Sequence, residues 1–393
     1  MLLRKRIIYG LACVLLLIGC TQDAETVLLP GSEDAVAIAF DCVTADEGLT
    51  RAVNGYTGNI TSSNNHLRYA GFGVFASQAT GTIPDLMYNQ KVEYIFPAQG
   101  SGLGGYWTYS PLKYWPASPE GTCFYAYAPY VPTPAGLASG TTGIIGMSAN
   151  NISTPAILYA RAKHPEENVD LLWGTKVITA ADLTAIEGVL RPRPSKPVKM
   201  TMHHALARVQ LNLTLTNAIP SGVKVLLECV KLSGSIAATG SLNLTSETTN
   251  GTGQLIPTWT GQVTESTEIY VYNAPETHPD TYGIIAEGIR YITDLPYSWQ
   301  PAGLVQNSKV NVLCMGDAPS YLYLIPQSGG LTLDCSVYYA LVYSDGSATK
   351  HKLKKTETPI TIATTGDANT ALNGHLNGNT TYQLNMSFEI ETS

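Results

Sequence analysis

The chain has 393 residues, of which 44% are hydrophobic and only 13% are charged, and its formal net charge is -7. This length and apolar content suffice for one large or two medium-sized domains with buried cores. The mildly acidic charge and the lack of a long run of lysine and arginine argue against nucleic-acid binding, which needs clustered cations to neutralise phosphates. Tyrosine (23) far outnumbers phenylalanine (6), which favours half-exposed β-strands.

The N-terminus has the pattern of a bacterial lipoprotein signal. A basic head at residues 4–6 precedes the apolar run Ile7–Ile18, which is shorter than the about 20 residues of a membrane-spanning helix. The run ends in Leu17-Ile18-Gly19-Cys20, which is similar to a lipobox. We therefore expect residues 1–19 to be removed and Cys20 to carry acyl chains such as palmitate, which would be the only membrane attachment. The alternative is an ordinary signal peptide in which Cys20 is incidental.

Most of the remaining segments alternate apolar and polar residues, which predicts β-strands. In residues 35–43 the alternation places Val36, Ile38, Phe40 and Cys42 on one face. The other strands expected in the N-terminal half are Ala70–Ala76, Lys91–Phe96, Tyr106–Trp115, Cys123–Tyr130, Val169–Gly174 and Ala205–Leu215.

A second series of strands follows Thr216–Gly222, the expected domain boundary. Its members are Val223–Leu232, Ser241–Leu244, Glu268–Tyr272, Val310–Met315, Tyr321–Pro326, Leu331–Tyr343 and Thr380–Ile390. Gly234 and Gly240 predict bends between the first two of these strands. The best helical pattern, Ala180–Val189, is short. Many short strands at this spacing predict an all-β fold of two β-sandwiches in tandem.

No residue pattern predicts an enzyme active site. Zinc-protease, serine-hydrolase and P-loop motifs are absent from the sequence. Gly100–Gly105 matches GxGxxG, but strand-forming residues follow it instead of a helix. His203 and His204 are adjacent, so on a strand they point to opposite faces and cannot share one metal ion; we expect one to be packed and one exposed. The sequence therefore predicts no enzymatic activity, no cofactor and no metal.

Two further residue groups leave alternatives open. The cysteines have no CxxC spacing, so a disulfide scaffold is not predicted, and Cys314 with Cys335 is the one pair worth testing for a bridge. An aromatic group has rings that could stack on sugars, although aromatic side chains more commonly serve packing. Its members are Tyr106, Trp107, Tyr109, Tyr114 and Trp115.

Seven short motifs, taken in their order along the chain, resemble the fimbrillin-like family, the type V pilins and related surface lipoproteins of Gram-negative anaerobes. They are Gly71–Ala76, Tyr114–Pro116, Phe124–Pro129, Val169–Gly174, His204–Val209, Leu324–Gln327 and Asn377–Tyr382. The resemblance implies two transthyretin-like β-sandwich domains and a lipoprotein precursor. It also implies an Arg-specific protease that trims the N-terminus after export. The expected units are then the signal (1–19), a propeptide (20–51) and two domains (52–217 and 218–393).

The resemblance gives Thr50-Arg51-Ala52 a role as a second cutting point. Its surroundings are polar and small, as an accessible cleavage loop should be, although most arginines are plain surface residues. A cut after Arg51 would make Ala52 the first residue and would remove the strand 35–43. Four apolar side chains, worth about 6–12 kcal/mol when buried, would leave a groove. Such a groove accepts a strand from another chain, and repeated additions build a filament.

The C-terminal segment is the possible donor of such a strand. Leu384, Met386, Phe388 and Ile390 alternate onto one face. Only residues 391–393 follow, so the alternative is that this strand completes its own domain. A subunit that accepts a strand and has none to donate is expected at the tip of a filament.

The first functional hypothesis is a structural or tip subunit of a type V cell-surface fimbria that acts in adhesion. Its partners would be other fimbrial subunits, in a homo- or hetero-polymer, together with signal peptidase and an Arg-specific protease during maturation. The precursor would be lipid-anchored in the outer membrane before it joins the surface fimbrium. The alternative is a lipid-anchored adhesin or glycan-binding lectin that never polymerises. A mature N-terminus at Ala52 favours the first hypothesis, and one at a lipid-bearing Cys20 favours the alternative or a basal anchor subunit.

Overall fold

The computed structural model describes residues 36–45, 66–78, 83–98, 100, 104–132, 143–162, 169–186, 189, 192–249, 255–273, 302–312, 321–353, 360–362 and 376–390. Strands dominate these residues, so the all-β fold class is confirmed. They contain one short α-helix, α1 (His66–Ala70), and one 3-10 turn, Ala180–Asp182. Among its described residues, the best helical pattern of the sequence, Ala180–Val189, contains helical structure only in that turn, because a short strand begins directly after it.

The strands up to the middle of the chain are β1 (Phe40–Thr44), β2 (Phe72–Ser77), β3 (Met87–Ile95), β4 (Tyr106–Thr108), β5 (Cys123–Ala128), β6 (Gly143–Met147), β7 (Ala156–Ala160), β8 (Leu172–Val177), β9 (Leu183–Thr184), β10 (Arg193–Pro194) and β11 (Val198–His204). The later strands are β12 (Ala207–Leu215), β13 (Lys224–Asn243), β14 (Thr258–Asn273), β15 (Ala302–Leu304), β16 (Lys309–Asn311), β17 (Leu322–Leu324), β18 (Asp334–Val342), β19 (Ala348–Leu353), β20 (Ile360–Ile362) and β21 (Thr381–Phe388).

The first sheet has seven strands in the order β1-β11-β8-β5-β2-β3-β4. Every neighbouring pair in it is antiparallel except β1 and β11, which run parallel. The interior strand β2, which lies between β5 and β3, is buried along its whole length, which shows that both faces of the sheet are covered there. Its residues Phe72 and Val74 point into one core and Phe75 into another.

Two further sheets, built mainly from strands of the C-terminal half, share a core. One has the order β16-β12-β21-β20, with β17 also paired to β12, and the other has the order β19-β18-β13-β7-β6, with β14 and β15 also paired to β13. The apolar faces of β12, β13, β18 and β21 meet between them. As in the first sheet, one pair is parallel: β21 runs alongside β12 over its whole length.

The long strand β13 replaces two predicted strands. The sequence predicts bends at Gly234 and Gly240, whereas the structure has one strand of 20 residues with local shifts of register against β14. Gly234 has a φ of +152°, and a Cβ at this position would lie 1.9 Å from the carbonyl oxygen of Thr332. The glycine therefore permits a close approach of two backbones and does not end the strand.

A hairpin from the N-terminal half joins the two halves. β7 of the β6–β7 hairpin pairs with the far end of β13, from Thr239 to Asn243. Tyr159 of the hairpin packs in one core with Trp173 of the first sheet and Leu242 of β13. The chain itself passes from the first sheet to its neighbour between β11 and β12, one strand earlier than the expected boundary at Thr216–Gly222. The alternation of apolar and polar residues predicts a strand, but it does not predict which sheet the strand joins.

Candidate functional site

The residues 36–45, which we call the edge segment, lie along the outer edge of the first sheet. The first part of the segment pairs antiparallel with the loop before β5 through a bridge between Ala37 and Tyr114. The Ile38 N–H donates to the Lys113 carbonyl at 2.9 Å, and the Trp115 N–H donates to the Val36 carbonyl at 3.0 Å. The edge segment is thus held by backbone hydrogen bonds from its first described residues.

The second part of the edge segment is β1, which pairs parallel with β11. The Val198 N–H donates to the Ala39 carbonyl at 2.8 Å, and the Ala45 N–H donates to the Met202 carbonyl at 2.7 Å. The edge segment therefore continues in one direction while its pairing changes from antiparallel, with the loop before β5, to parallel, with β11.

Four side chains of the edge segment enter the core of the N-terminal half. Val36, Ile38, Phe40 and Cys42 are 0%, 1%, 4% and 5% exposed, whereas Ala39 is exposed. We call the space that they fill the edge groove. The residues that line it include Phe72, Tyr109, Trp115, Phe124, Val198, Met200 and Met202.

The aromatic ring of Phe40 lies at the centre of the edge groove. Its centroid is 6.0 Å from that of Phe72, 5.5 Å from Tyr109 and 5.7 Å from Phe124, and all three contacts are edge-to-face. Contacts of this geometry stabilise beyond the area that they bury. Phe40 is therefore the side chain that fits the groove most specifically.

Tyr109 contacts the edge segment through its hydroxyl as well as through its ring. The hydroxyl donates to the Ile38 carbonyl at 2.8 Å and accepts from the Lys113 N–H at 3.2 Å. Burial raises the pKa of Tyr109 to about 12. The hydroxyl therefore stays protonated and acts as a fixed donor to the backbone of the segment.

Cys42 is a packing residue. Burial, and to a smaller extent the nearby carboxylate of Asp41, raise the pKa of its thiol well above the ordinary value. A thiol held in its neutral form is a weak nucleophile. Cys335 is also buried, while its expected partner Cys314 lies outside the described residues.

The C-terminal strand fills the core of its own half. Leu384, Met386, Phe388 and Ile390 are 0%, 1%, 2% and 4% exposed, and β21 is bordered by β12 and β20. Asn217 fixes its end: the Ile390 N–H donates to the Asn217 side chain at 2.9 Å, and that side chain donates to the Ile390 carbonyl at 2.8 Å. In this structure the possible donor strand is packed in the core of the C-terminal half.

A buried acid–histidine pair lies at the other end of β11. His204 Nδ1 is 2.8 Å from Asp170 Oδ2, and both side chains are almost fully buried. Its neighbour His203 is half-buried on the opposite face, so the sequence-based expectation of a packed and an exposed histidine holds only for His204. Asp170 was not predicted; the signal for it is a lone carboxylate in an apolar strand. Among the described residues no cluster of three or more His, Cys, Asp or Glu could hold a metal ion.

The comparisons with known proteins decide the family. A model of fimbrillin-like proteins matches residues 50–311, which is more than half of the chain. The chain belongs to the fimbrillin-like family. The identification made from the seven motifs is thereby confirmed. Comparison with curated proteins gives no match.

Solved structures extend the likeness of fold over most of this fimbrillin-like chain. A fimbrial protein from Bacteroides vulgatus is 18% identical with a TM-score of 0.51, over 90% of this chain and 95% of that one. A candidate cell adhesion protein from Bacteroides uniformis is 13% identical, with a TM-score of 0.41 and coverage of 90% and 94%. Another from Parabacteroides distasonis is 13% identical, with a TM-score of 0.40 and coverage of 90% and 87%. We base the likeness of fold on the first of these.

The aromatic group whose rings could stack on sugars is partly buried and partly exposed in the fimbrillin-like fold. Tyr109 and Trp115 are each 6% exposed and belong to the core, so they cannot bind a sugar from this position. Tyr106 is 55% exposed. Two further exposed rings form a pair: Tyr69 and Phe96 stack with their centroids 4.6 Å apart, and Tyr69 is 61% exposed.

Three predicted site residues of the fimbrillin-like chain cannot be placed. Cys20, Arg51 and Ala52 lie outside the described residues. No helix among the described residues is long and apolar enough to cross a membrane.

Proposed function

We propose that this fimbrillin-like chain is a subunit of a type V cell-surface fimbria that acts in adhesion and accepts a strand from another subunit. The observation that carries the proposal is the edge segment. It lies before Arg51 in the sequence, occupies the outer edge of the first sheet, and fills a core groove with four side chains. A strand with these properties can be replaced by another strand without any change in the rest of the sheet.

Maturation would make the edge groove available in two steps. Signal peptidase would remove residues 1–19, and the lipid on Cys20 would hold the precursor in the outer membrane. An Arg-specific protease would then cut between Arg51 and Ala52. Because the lipid and the edge segment both precede this cut, a single cleavage would release the protein from its anchor and allow the segment to leave.

Loss of the edge segment would leave an unstable surface. The rings of Phe72 and Phe124 and the backbone groups of Val198 that now face the segment would meet water. The side chains that leave are worth about 6–12 kcal/mol of burial, and an open sheet edge offers unpaired hydrogen-bonding groups. A strand from a partner subunit would restore both kinds of interaction.

The seating of β21 supports a position at the tip of the fimbria. Phe388 and its three alternate partners are buried in the C-terminal core, and Asn217 holds the end of the strand with two hydrogen bonds. Donation of this strand would open the core of its own half. The chain would thus accept a strand and keep its own, whereas a subunit within the stalk must accept one strand and donate another.

A lipid-anchored glycan-binding adhesin that does not polymerise is the second candidate. The exposed rings of Tyr69, Phe96 and Tyr106 favour it, because sugars present C–H faces to aromatic rings. This candidate needs no cut after Arg51, so the mature N-terminus separates it from the first.

Cleavage followed by strand uptake tests the proposed function. The exported full chain is treated with an arginine-specific protease and mixed with a fluorescent peptide of residues 36–45, and binding is measured by anisotropy and size-exclusion chromatography. We expect a cut after Arg51, uptake of one peptide per chain and no polymer from the chain alone. The Arg51→Ala chain serves as the control and should take up none. A cut chain that binds no peptide would argue against strand acceptance, and one that polymerises alone would indicate a stalk subunit.

A further inference from the structure

Two strands of this chain share one residue pattern. The edge segment reads Val-Ala-Ile-Ala-Phe-Asp-Cys over 36–42, and the C-terminal strand reads Leu-Asn-Met-Ser-Phe-Glu-Ile over 384–390. In both, apolar residues occupy alternate positions, phenylalanine is the third of them, and an acidic residue follows it. Both strands also run parallel to a neighbour, β1 to β11 and β21 to β12.

The surroundings of the two phenylalanines differ. Phe388 packs against Tyr339 at 5.6 Å, whereas Phe40 is enclosed by three rings at 5.5–6.0 Å. One of these three rings, Tyr109, also donates a hydrogen bond to the carbonyl of Ile38, two residues before Phe40. A single side chain thus contacts the aromatic residue and a defined backbone atom of the same strand.

We propose that Tyr109 recognises the incoming strand and sets its register in the edge groove. The strand would place an aromatic side chain among Phe72, Tyr109 and Phe124, and would present the carbonyl two residues earlier to the Tyr109 hydroxyl. This inference rests on the proposed function, because it names the kind of strand that the groove accepts. The partner segment has apolar residues at alternate positions, an aromatic residue as the third of them, and the same direction as β11.

The geometry excludes neighbouring registers. A slip by one residue turns every apolar side chain to the solvent face. A slip by two residues keeps the faces but places the ring of Phe40 in the position of Ile38 or Cys42. In either case no aromatic ring enters the three-ring pocket. The strand is therefore accepted in one register.

The Tyr109 hydroxyl also has a second hydrogen-bond acceptor within reach, which it can use when the edge groove is empty. Departure of the edge segment removes the Ile38 carbonyl from the Tyr109 hydroxyl and the Ile38 N–H from the Lys113 carbonyl. The two groups that lose their partners, the Tyr109 hydroxyl and the Lys113 carbonyl oxygen, are 3.3 Å apart. The hydroxyl can turn to this carbonyl while the groove is empty and return to the strand when one enters, which lowers the cost of the intermediate state.

Peptide binding to the full chain cut after Arg51 tests the proposed role of Tyr109. The probes are fluorescent peptides of residues 36–45 and of residues 382–390, a 36–45 peptide with Phe40→Leu, and a 36–45 peptide in which the Ile38 carbonyl is a thioamide. We expect both native sequences to bind, and the Phe40→Leu peptide to bind about tenfold more weakly. Tyr109→Phe in the protein should weaken binding of the native 36–45 peptide about five- to tenfold, as for one buried hydrogen bond.

The thioamide peptide separates a hydrogen bond from general packing. Because sulfur is a weak hydrogen-bond acceptor, the substitution Tyr109→Phe in the protein should change the affinity for the thioamide peptide by less than about twofold. Tyr106→Phe, at an exposed tyrosine of the neighbouring strand, is the matched control and should change nothing. If each peptide binds the wild-type and the Tyr109→Phe chains with equal affinity, the proposed role of Tyr109 in strand recognition is overturned, while strand acceptance stands. Failure of every peptide to bind the cut wild-type chain would overturn both.

Discussion

At the residue scale, the packing of the edge segment depends most on Phe40. Its ring is 4% exposed and meets three aromatic rings edge-to-face. We expect Phe40→Ala to lower the free energy of unfolding of the full chain by about 3–5 kcal/mol, because it leaves a cavity in a closed pocket. Urea denaturation measures this. The exposed neighbour Ala39 is the control, since Ala39→Ser should stay within about 0.5 kcal/mol of wild type. Equal stability of the two variants would show that the segment is not seated in the core.

The buried pair of Asp170 and His204 gives a second prediction at this scale. Removal of the charge from a buried partner leaves the other group without its complement. Asp170→Asn should therefore lower the free energy of unfolding by about 1–3 kcal/mol, measured in the same urea titration. The exposed carboxylate of Asp41 is the matched control, and Asp41→Asn should change stability by less than about 0.5 kcal/mol. A stable Asp170→Asn chain would mean that the pair is replaceable by neutral hydrogen bonding.

Single residues also show what the sequence can predict. Alternation places Val36, Ile38, Phe40 and Cys42 on one face, and all four are buried in the structure. The contacts of Tyr109 with Ile38, 71 positions away, could not be predicted, because they arise when a loop folds against an edge strand. For the same reason the sequence gives Tyr109 and Trp115 as candidate sugar-stacking residues, whereas the structure buries both.

At the element scale, the edge segment and β21 should respond differently to the proposed cut. Both are parallel strands of similar pattern, but a cut after Arg51 would free one end of the edge segment only. We expect hydrogen exchange of the Ile38 amide to become at least about tenfold faster after the cut, since local opening then has a lower free energy. The Met386 amide of β21 is the internal control and should not change. Equal acceleration in both strands would point to general loosening of the fold.

Strands were easier to predict than their pairing. The alternating segments coincide with β12 and β21 to within a few residues, because alternation reports that one face is buried. It does not report which strand lies alongside. The change of sheet between β11 and β12, the continuity of β13 through Gly234, and the donation of the β6–β7 hairpin to β13 all depend on contacts distant in sequence.

At the scale of the whole molecule, alkaline pH should lower the free energy of unfolding of the protein. Burial raises the pKa of Tyr109 to about 12 and also raises the pKa of Tyr88 and Tyr382. The native state therefore keeps these phenols neutral while the unfolded state ionises near pH 10. Their stabilising contribution is complete below about pH 10 and is lost as the pH rises through the folded values.

Urea midpoints measured at pH 9 and pH 11 check this prediction. The midpoint should be lower at pH 11, and Tyr109→Phe should reduce the loss by about 1 kcal/mol. The control is Tyr106→Phe, which removes an exposed phenol and should leave the difference between the two pH values unchanged. A midpoint that does not fall at pH 11 would mean that these hydroxyls ionise as readily in the folded chain as in the unfolded one.

The central claim is that the edge segment is removed before the protein functions at the cell surface. N-terminal sequencing of the protein sheared from the surface of the cells that make it tests this claim most directly. We expect the sheared chain to begin at Ala52 and to lack residues 36–45. A chain that begins at an acylated Cys20 and keeps Phe40 would contradict it, and would indicate a lipid-anchored adhesin with a closed edge groove.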